Sequence, residues 1–306
     1  MADEIYYSGL GDLMTSEVLS GIWLELLADR NALPSHPALI KLRDANGLGS
    51  TTQKIPHVGL FGYDKLASTA ENASIANTAF TDASTTVAVA RYGKAYESSD
   101  LARLTDAAGL LQPGTMALDA FASYQATLRD VIANLVDDFS QTVGTTTVDA
   151  TVVNFLDAIT TLEVGNVGGP YLCILHPQQW ADIRKDAATS SGGAIQWNAG
   201  SQALLNVMKG AGGYKGNYLG VDVFCTTDVP TANAGADRAG GMFGRGAIAW
   251  AEARFPATMA DQMNIGPLLF EQERNALAGR TAFVTNGGLG ASEGIDAAGV
   301  SIITDA

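Results

Sequence analysis

The amino-acid sequence predicts an α+β fold organised around one long helix. Residues 115–143 carry a clean helical repeat of apolar side chains. Residues 51–97 contain two extended runs separated by a long small and polar stretch, which is typical of a two-stranded excursion. From residue 151 onward, helical repeats are mixed with short apolar strands. These three observations predict helices and strands in one mixed structure.

The predicted long helix has one apolar face and one polar face. Its apolar face, with Gln125 as the polar exception, consists of Leu118, Phe121, Gln125, Leu128, Ile132, Leu135 and Phe139. Its polar face consists of Arg129, Asp130, Asn134, Asp137, Asp138 and Gln141. Pro113 and Gly114 precede the helix, Gly144 follows it, and Thr115 is placed as its cap. A helix of roughly 40 Å suits a scaffold, although a long core helix of an α/β enzyme fits the same pattern.

The composition is that of an acidic globular protein. With 47% hydrophobic and 16% charged residues, the chain is not of the disordered class. Lys plus Arg is 18 against 32 for Asp plus Glu, a net charge of −14. This balance opposes binding to phosphate backbones or anionic lipid, because both need a basic patch. Enclosing nucleic acid without binding it is compatible with such a charge.

The sequence argues against secretion, membrane insertion and cysteine chemistry. The N-terminus, Met1 to Glu4, is acidic and has no apolar core behind it. The longest charge-free candidate for a membrane span, 164–181, contains Gly, Pro, Asn, Gln and His. We therefore expect synthesis in the cytoplasm. Cys173 and Cys225 lie in apolar runs without CxxC spacing, so we expect small buried side chains.

Residues 1 to about 50 are predicted to form an extended arm with one amphipathic helix. Ser16 is placed to cap this helix, and Asn31 and Pro34 end it. Its apolar face consists of Leu19, Ile22, Trp23, Leu26 and Leu27. One helix cannot bury that face alone, so it must pack on the body or on a neighbouring subunit.

After the arm, residues 54–61 and 85–96 are predicted as the two strands of a long hairpin. The stretch between them, 66–84, is rich in Ala, Ser, Thr and Asn. A connection of this length is unusual in a compact domain, so it is either disordered or made to reach another structure.

The second half of the chain predicts further helices and strands. The predicted helices span 151–163, with Val152, Phe155, Leu156, Ile159 and Leu162 on one side, and 177–187, with Pro177 first. The predicted strands span 171–175, 219–225, 246–253, 268–273, 280–285 and 300–304, with the fourth and fifth as a hairpin. Residues 192–216 are Gly-rich with a short helical patch at 204–208, and 226–241 is predicted as a loop.

The usual signatures of catalysis and cofactor binding are missing from the sequence. There is no P-loop, no HExxH and no GxSxG, and the Gly-rich stretch 210–216 has Lys where a dinucleotide fingerprint needs Gly. His36, His57 and His176 are far apart, which opposes a His-based metal site or triad. We therefore expect no catalytic, cofactor-binding or metal-binding residues.

Two candidates for chemistry are weighed against structural roles. His176 lies at a strand-to-helix junction, where α/β enzymes place functional groups, but the favoured interpretation is that its ring caps the following helix or packs against a strand. Glu271 and Glu273 face the same side of a strand and repel unless an Arg such as Arg274 lies between them. A structural ion network is the favoured interpretation for this pair.

Several short phrases occur in an order that resembles tailed-bacteriophage major capsid proteins of the Hong Kong 97-type fold, shared with encapsulin shells. These phrases are VARYGKAYE at 89–97, LCILHP at 172–177, YLGVDV at 218–223 with Thr227 and Asp228, MFGRGAIA at 242–249, and EQERNALA at 271–278, with the long helix between the first two. Together they cover most of the chain from about residue 50 onward.

The resemblance implies a subunit with four parts. These are an N-arm at 1–50, an E-loop at 51–97, a P-domain at 98–145 and 257–306 that contains a spine helix at about 115–143, and an A-domain at 146–256. The over-long hairpin then reaches across a neighbouring subunit, and the arm packs on another. Hexamers and pentamers of the chain would form an icosahedral shell that encloses double-stranded DNA.

The resemblance also implies partners and leaves alternatives. About fifty residues precede the E-loop, so a separate scaffold protein or none is expected, with portal and decoration proteins as further partners. Lys54 and Lys65 lie in the region of the Lys–Asn crosslink of the type member, but no Asn and Glu match that motif, so the crosslink is not carried over. The alternatives are an encapsulin-like compartment and an α/β enzyme using His176 or the pair Glu271 and Glu273.

Overall fold

A computed structural model describes residues 33–43, 50–58, 68, 71, 82–105, 113–189, 213–256, 262–265 and 267–305. Its helices are α1 (Asp100–Thr105), α2 (Pro113–Ala133), α3 (Val152–Val164) and α4 (Pro177–Thr189). Its strands are β1 (Ile40–Lys41), β2 (Thr52–Val58), β3 (Asp82–Ala88), β4 (Ala90–Ser99), β5 (Thr142–Val143), β6 (Tyr171–Leu175), β7 (Tyr214–Tyr218), β8 (Val221–Cys225), β9 (Thr231–Ala232), β10 (Asp237–Phe243), β11 (Ile248–Ala253), β12 (Gln262–Ile265), β13 (Leu268–Asn275), β14 (Arg280–Glu293) and β15 (Gly299–Asp305). The predicted arm helix and the helical patch at 204–208 lie outside the described residues.

Two sheets share one continuous apolar core. The first sheet has the order β1-β11-β14-β13-β12, with β4 also paired to β14. The second has the order β5-β15-β10-β6-β8-β7, with β9 paired to β10. Strands β2 and β3 form a separate antiparallel ribbon, from Thr52 opposite Ala88 to Val58 opposite Asp82. The mixed α+β prediction is therefore confirmed.

The long helix α2 is shorter than the predicted 115–143. It begins at Pro113, so Thr115 lies inside its first turn and does not precede it as a cap. It ends at Ala133, not at residue 143. Beyond it, the N–H groups of Leu135 and Val136 bond to carbonyls three residues back, at 3.3 Å each, and the helical ladder stops.

The apolar repeat continues past the helix because the following turn is also buried. Val136 and Phe139 are almost fully inaccessible although neither is helical. The hydroxyl of Ser301 donates to the carbonyl oxygens of Val136 (2.7 Å) and Phe139 (3.3 Å), which replaces the missing helical hydrogen bonds. The periodicity of 136–139 thus reflected burial and not helical structure.

Helix α3 begins where the sequence predicted. Thr151 is its N-cap and accepts a hydrogen bond from the N–H of Asn154 (3.2 Å). Val152, Phe155 and Leu162 are buried as predicted, but Leu156 is exposed and the prediction for it was wrong. The reason is that Ala158 completes the buried stripe, so Leu156 falls on the opposite side.

Several predicted strand boundaries were wrong, among them the single strand 85–96, which the structure divides into β3 and β4. Residues 219–225 are not one strand, because Leu219 and Gly220 have positive φ and form the tight turn between β7 and β8. The predicted loop 226–241 contains β9 and the start of β10. Strand β14 runs on from residue 285 to Glu293 through a Gly-rich stretch, because glycines there allow close approach of neighbouring strands.

Each of the two sheets contains strands from more than one of the predicted domain ranges. Strand β11, from the range 146–256, pairs with β14 of the first sheet, whereas β15, from 257–306, pairs with β10 of the second. Helix α2 contacts both sheets. Lys94 of β4, in the first sheet, donates to Asp119 of the helix (2.6 Å), and Arg129 of the helix pairs with Asp228, which follows β8 of the second sheet. The helix therefore ties the two sheets together, and the domain ranges stay a prediction.

Candidate assembly surfaces

His176 takes the capping role that the sequence offered as one of its two interpretations. Its Nδ1 accepts a hydrogen bond from the N–H of Gln178 (3.3 Å), and its own N–H donates to Oε1 of Gln179 (3.1 Å). This reciprocal arrangement satisfies the first turn of α4. Burial, together with the positive charge of Arg238, lowers the pKa of the imidazole. The ring stabilises a helix end and is half-buried.

Glu271, Glu273 and Arg274 do not form one site. The side chain of Glu271 accepts from Nδ2 of Asn286 (3.3 Å), and Oδ1 of Asn286 accepts from Arg91 (2.7 and 3.0 Å). Arg274 instead donates to Asp100 (3.0 Å), away from the two glutamates. Glu273 is exposed. An ion pair is thus shown for Arg274 and a hydrogen bond to an amide for Glu271, while an ion network between subunits stays a prediction.

Both cysteines are buried side chains of the second sheet. They are free thiols on the adjacent parallel strands β6 and β8. Burial raises the pKa of Cys173 well above its ordinary value and that of Cys225 to about 12. Neither thiol ionises near neutral pH, which confirms the packing role that the sequence predicted.

Within the described ranges, no set of three or more His, Cys, Asp or Glu side chains is arranged to hold a metal ion. None of the helices in this part of the chain combines the length and the apolar character that crossing a membrane demands.

The ribbon of β2 and β3 has one inner face and one outer face. On the inner face Val87 is fully buried against Ala249 and Ala251 of β11, and the Thr85 hydroxyl donates to the carbonyl of Gly294 (2.9 Å). On the outer face the described side chains Thr52, Lys54, Ser84, Thr86 and Ala88 are all exposed. The base of the ribbon is therefore anchored on the first sheet while its outer face is open to a partner.

A buried hydrogen-bond network anchors the segment 33–43 on the second sheet. His36 is almost fully buried, and its Nδ1 accepts from the N–H of Ala38 (3.2 Å). The proton therefore lies on Nε2, which donates to Asp222 (3.0 Å). Tyr214 and Asn217 donate to the other oxygen of Asp222 (3.0 and 3.1 Å). This network fixes the chain directly after residues 1–32.

Exposed leucines cluster at one end of the first sheet and are called the tip patch: Leu101, Leu104 and Leu277. Leu101 and Leu104, on α1, are 72% and 83% exposed, and Leu277, in the turn between β13 and β14, is fully exposed. The N–H of Asp100 donates to the carbonyl of Gly279 (2.9 Å), which joins α1 to that turn. Large exposed leucines in a structured turn are typical of a contact with another chain.

A second exposed apolar surface lies on α3 and is called the α3 patch: Val153, Leu156 and Val164. Their side chains face away from the second sheet, on which the opposite side of the helix packs through Phe155 and Leu162. Val148, in the loop before the helix, is also exposed. Such a helix has two apolar faces, of which only one is covered in the single chain.

Comparison with solved structures identifies the architecture. The chain is similar to the capsid of cyanophage P-SCSP1u, with 10% identity over 90% of this chain and 89% of that one, at a TM-score of 0.61. It is also similar to the capsid of Ralstonia phage GP4, with 13% identity over 91% and 92% of the two chains, at a TM-score of 0.61. The chain has the Hong Kong 97-type fold.

The Hong Kong 97-type fold is also found in shells that are not phage heads. The SrpI encapsulin complex of Synechococcus elongatus PCC 7942 has 11% identity to this chain, covers 87% of it and 85% of its own length, and gives a TM-score of 0.58. No protein-family model and no curated protein matches the sequence. The likeness therefore lies in the fold.

The two patches were missed by the sequence analysis, although the tip patch leaves a signal in the sequence. Leu101 and Leu104 are spaced three apart on a helix too short to have a buried side. Leu277 stands in a turn where polar residues are expected. An apolar residue at a turn, next to a short helix with exposed leucines, indicates a candidate contact surface.

Proposed function

We propose that this chain is the major capsid protein of a tailed phage, which assembles through hexamers and pentamers into an icosahedral shell around double-stranded DNA. The observation that carries the proposal is the fold, which the chain shares with phage capsid subunits over about nine tenths of both chains. Its location is then the virion, after assembly in the host cytoplasm. A scaffold, a portal and decoration proteins are its further partners.

The parts of the subunit take roles that follow from this function. Residues 1–50 are the N-arm, 51–97 the E-loop, 98–145 and 257–306 the P-domain with α2 as spine helix, and 146–256 the A-domain. The exposed outer face of the ribbon β2–β3 supports an E-loop that lies on a neighbouring subunit. The tip patch and the α3 patch are the remaining contacts between copies of this chain, since each is apolar and uncovered in one subunit.

Electron microscopy of the purified protein, with its sedimentation profile, tests the proposal. We expect closed uniform shells or capsomer rings for the natural sequence, with or without a scaffold protein. A protein that stays a compact monomer at high concentration, with scaffold and with a crowding agent, would overturn the proposal.

The tip patch is tested by a matched pair of double variants. Leu101→Ser with Leu277→Ser removes the apolar surface, whereas Leu101→Met with Leu277→Met keeps it. Both residues are exposed, so both variants should fold as single subunits. We expect the serine variant to give capsomers or subunits and the methionine variant to give shells. Normal shells from the serine variant would reject the patch and leave the shell function standing.

An encapsulin-like compartment is the second candidate, because the fold is also shared with an encapsulin. The two functions differ in what the shell holds. Nuclease-resistant DNA in shells purified from the source cells supports the capsid, and a single enriched enzyme without DNA supports the compartment. Portal, terminase and tail genes beside the gene would favour the capsid.

A further inference from the structure

The segment 33–43, called the strap, contacts three separate parts of the molecule in succession. Its start is anchored on the second sheet by the hydrogen bond between His36 and Asp222 (3.0 Å). Its middle is the strand β1, which pairs in parallel with β11 of the first sheet. Its end lies against the base of the ribbon of β2 and β3. One short segment therefore joins both sheets and the ribbon.

The anchor on the second sheet uses every polar atom of His36. Nε2 donates to Asp222 (3.0 Å), and Nδ1 accepts from the N–H of Ala38 (3.2 Å). The backbone N–H of His36 donates to the carbonyl of Leu33 (3.1 Å), and its carbonyl accepts from the N–H of Leu39 (3.0 Å). The imidazole is fully inaccessible. Displacing this side chain is costly, because a buried carboxylate oxygen then loses its donor.

The middle of the strap depends on contacts at both of its ends. Strand β1 has only two residues, and a strand of that length is not stable by itself. One further backbone bond, from the N–H of Leu42 to the carbonyl of Trp250 (2.8 Å), continues the pairing. Lys41 adds a contact with Glu252 (2.6 Å) and lies 4.7 Å from the centre of the Trp250 ring. The position of β1 on β11 therefore requires the anchors before and after it.

The end of the strap is part of the contact that holds the ribbon on the first sheet. Ile40 and Leu42 pack against a small apolar cluster, separate from the main core, in which Val87 of β3 meets two alanines of β11. Nε2 of Gln53, on β2, donates to the carbonyl of Arg43 (2.7 Å). The strap thus covers the same cluster that fixes the base of the ribbon.

We propose that the strap couples the second sheet to the ribbon, so that release of His36 from Asp222 loosens the ribbon on the first sheet. The anchor holds β1 in place, and β1 in turn completes the cluster around Val87. The coupling is reciprocal, because two contacts that stabilise one segment stabilise each other. The strap is a property of the single subunit. Only its consequence in a shell rests on the proposed function: a neighbour that binds residues 1–32 would also change how firmly the ribbon is held.

Hydrogen exchange of the full chain, measured by mass spectrometry, tests the strap with two variants of one residue. His36→Asn keeps an acceptor for the N–H of Ala38 but is too short to reach Asp222, whereas the longer amide of His36→Gln reaches it. In His36→Asn we expect the N–H groups of 82–89 to exchange about tenfold faster, because a buried charged group loses a hydrogen bond and local opening becomes easier. In His36→Gln we expect exchange within about threefold of the natural sequence.

Ser301→Ala separates this coupling from a general loss of stability. It also removes a buried donor from the second sheet, but the Ser301 hydroxyl donates to the turn after α2 and not to the strap. We expect exchange at 82–89 to stay within about threefold of the natural sequence in this variant.

The other end of the strap gives a reciprocal test, which holds even where a change at His36 prevents folding. Gln53→Ala removes the donor to the carbonyl of Arg43 from a partly exposed side chain. We expect exchange at the N–H groups of 39–42 to rise about threefold. Lys54→Ala, which removes the neighbouring exposed side chain, should leave it unchanged.

The strap fails if ribbon exchange is unchanged in His36→Asn or strap exchange is unchanged in Gln53→Ala. An equal rise in His36→Asn and Ser301→Ala would also overturn it, since the effect would then be general. Each of these results leaves the shell function standing, because electron microscopy measures that function separately.

Discussion

Gly241 and Gly299 lie where the chain leaving α2 crosses the second sheet. A Cβ atom at Gly241 would stand 2.7 Å from Cβ of Val136, and one at Gly299 would stand 2.3 Å from the ring of Phe139. Neither neighbour is able to move, because both are buried in the core. The absence of a side chain therefore sets how closely the turn after α2 packs.

This close approach predicts the effect of a single methyl group. We expect Gly241→Ala to lower the free energy of unfolding by about 1–3 kcal/mol, as overpacking of a core does. Gly168→Ala is the matched control, since a Cβ atom there meets nothing within 4 Å, and it should have an effect of about 0.5 kcal/mol or less. Urea unfolding of both variants measures the difference, and equal stabilities would contradict the steric account.

The network around Asp222 predicts a pH-dependent effect of His36. Burial opposes ionisation of Asp222, but donors from His36, Asn217 and Tyr214 outweigh it and lower its pKa. We expect His36→Ala to lower the free energy of unfolding by about 1–3 kcal/mol at pH 7, because a buried acceptor loses its donor.

The sign of the pH dependence follows from the lowered pKa. The stabilisation by Asp222 is present above its ordinary pKa of 3.8 and is lost as pH falls through the folded-state value. The difference between His36→Ala and the natural sequence should therefore shrink in acid. Thr151→Ala, which removes the N-cap of α3 and no titratable group, should cost about 1 kcal/mol with no such acid dependence. Unfolding curves at pH 7 and pH 3 decide between these outcomes.

Among the elements, the starts of helices α3 and α4 were predicted well. Thr151 and Pro177 carry local signals for α3 and α4, and both helices begin there. The end of α2 carries no local signal, because Val136 and Phe139 keep the helical spacing and are held by Ser301 from far along the chain. Strand β10 was missed for a related reason: its small residues acquire strand structure by pairing with β15 and β6.

The role of Ser301 at the end of α2 gives a further prediction. Ser301→Ala leaves the carbonyls of Val136 and Phe139 buried without their donor, and should lower the free energy of unfolding by about 1–3 kcal/mol. Ser123→Ala on α2 itself is the control, with an expected change of about 0.5 kcal/mol or less, since Ala has the higher helix propensity. Thermal unfolding of the two variants provides the test, and a harmless Ser301→Ala would refute the account of the helix end.

For the molecule as a whole, the sequence indicated the fold through an ordered set of short sequence motifs and one long helix. It did not indicate how the strands pair to form the two sheets. The pairing of β11 with β14 and of β15 with β10 depends on contacts between residues far apart in the chain. The tip patch likewise joins α1 to a turn near residue 277, and only the folded chain brings them together. The tip patch as one joined surface therefore became visible only in the structure.

The net charge of the whole chain predicts that the proposed shell encloses its DNA without binding it. With a charge of −14, the protein has no excess of cations to neutralise phosphates, so attraction through counterion release is absent. We expect subunits to show no binding to a short DNA duplex at 150 mM salt in fluorescence anisotropy. We also expect DNA in closed particles to resist nuclease and to become fully digestible once the particles are opened. Binding by isolated subunits that weakens steeply with added salt would instead indicate a local basic surface, and the shell would then hold its DNA by contact as well as by enclosure.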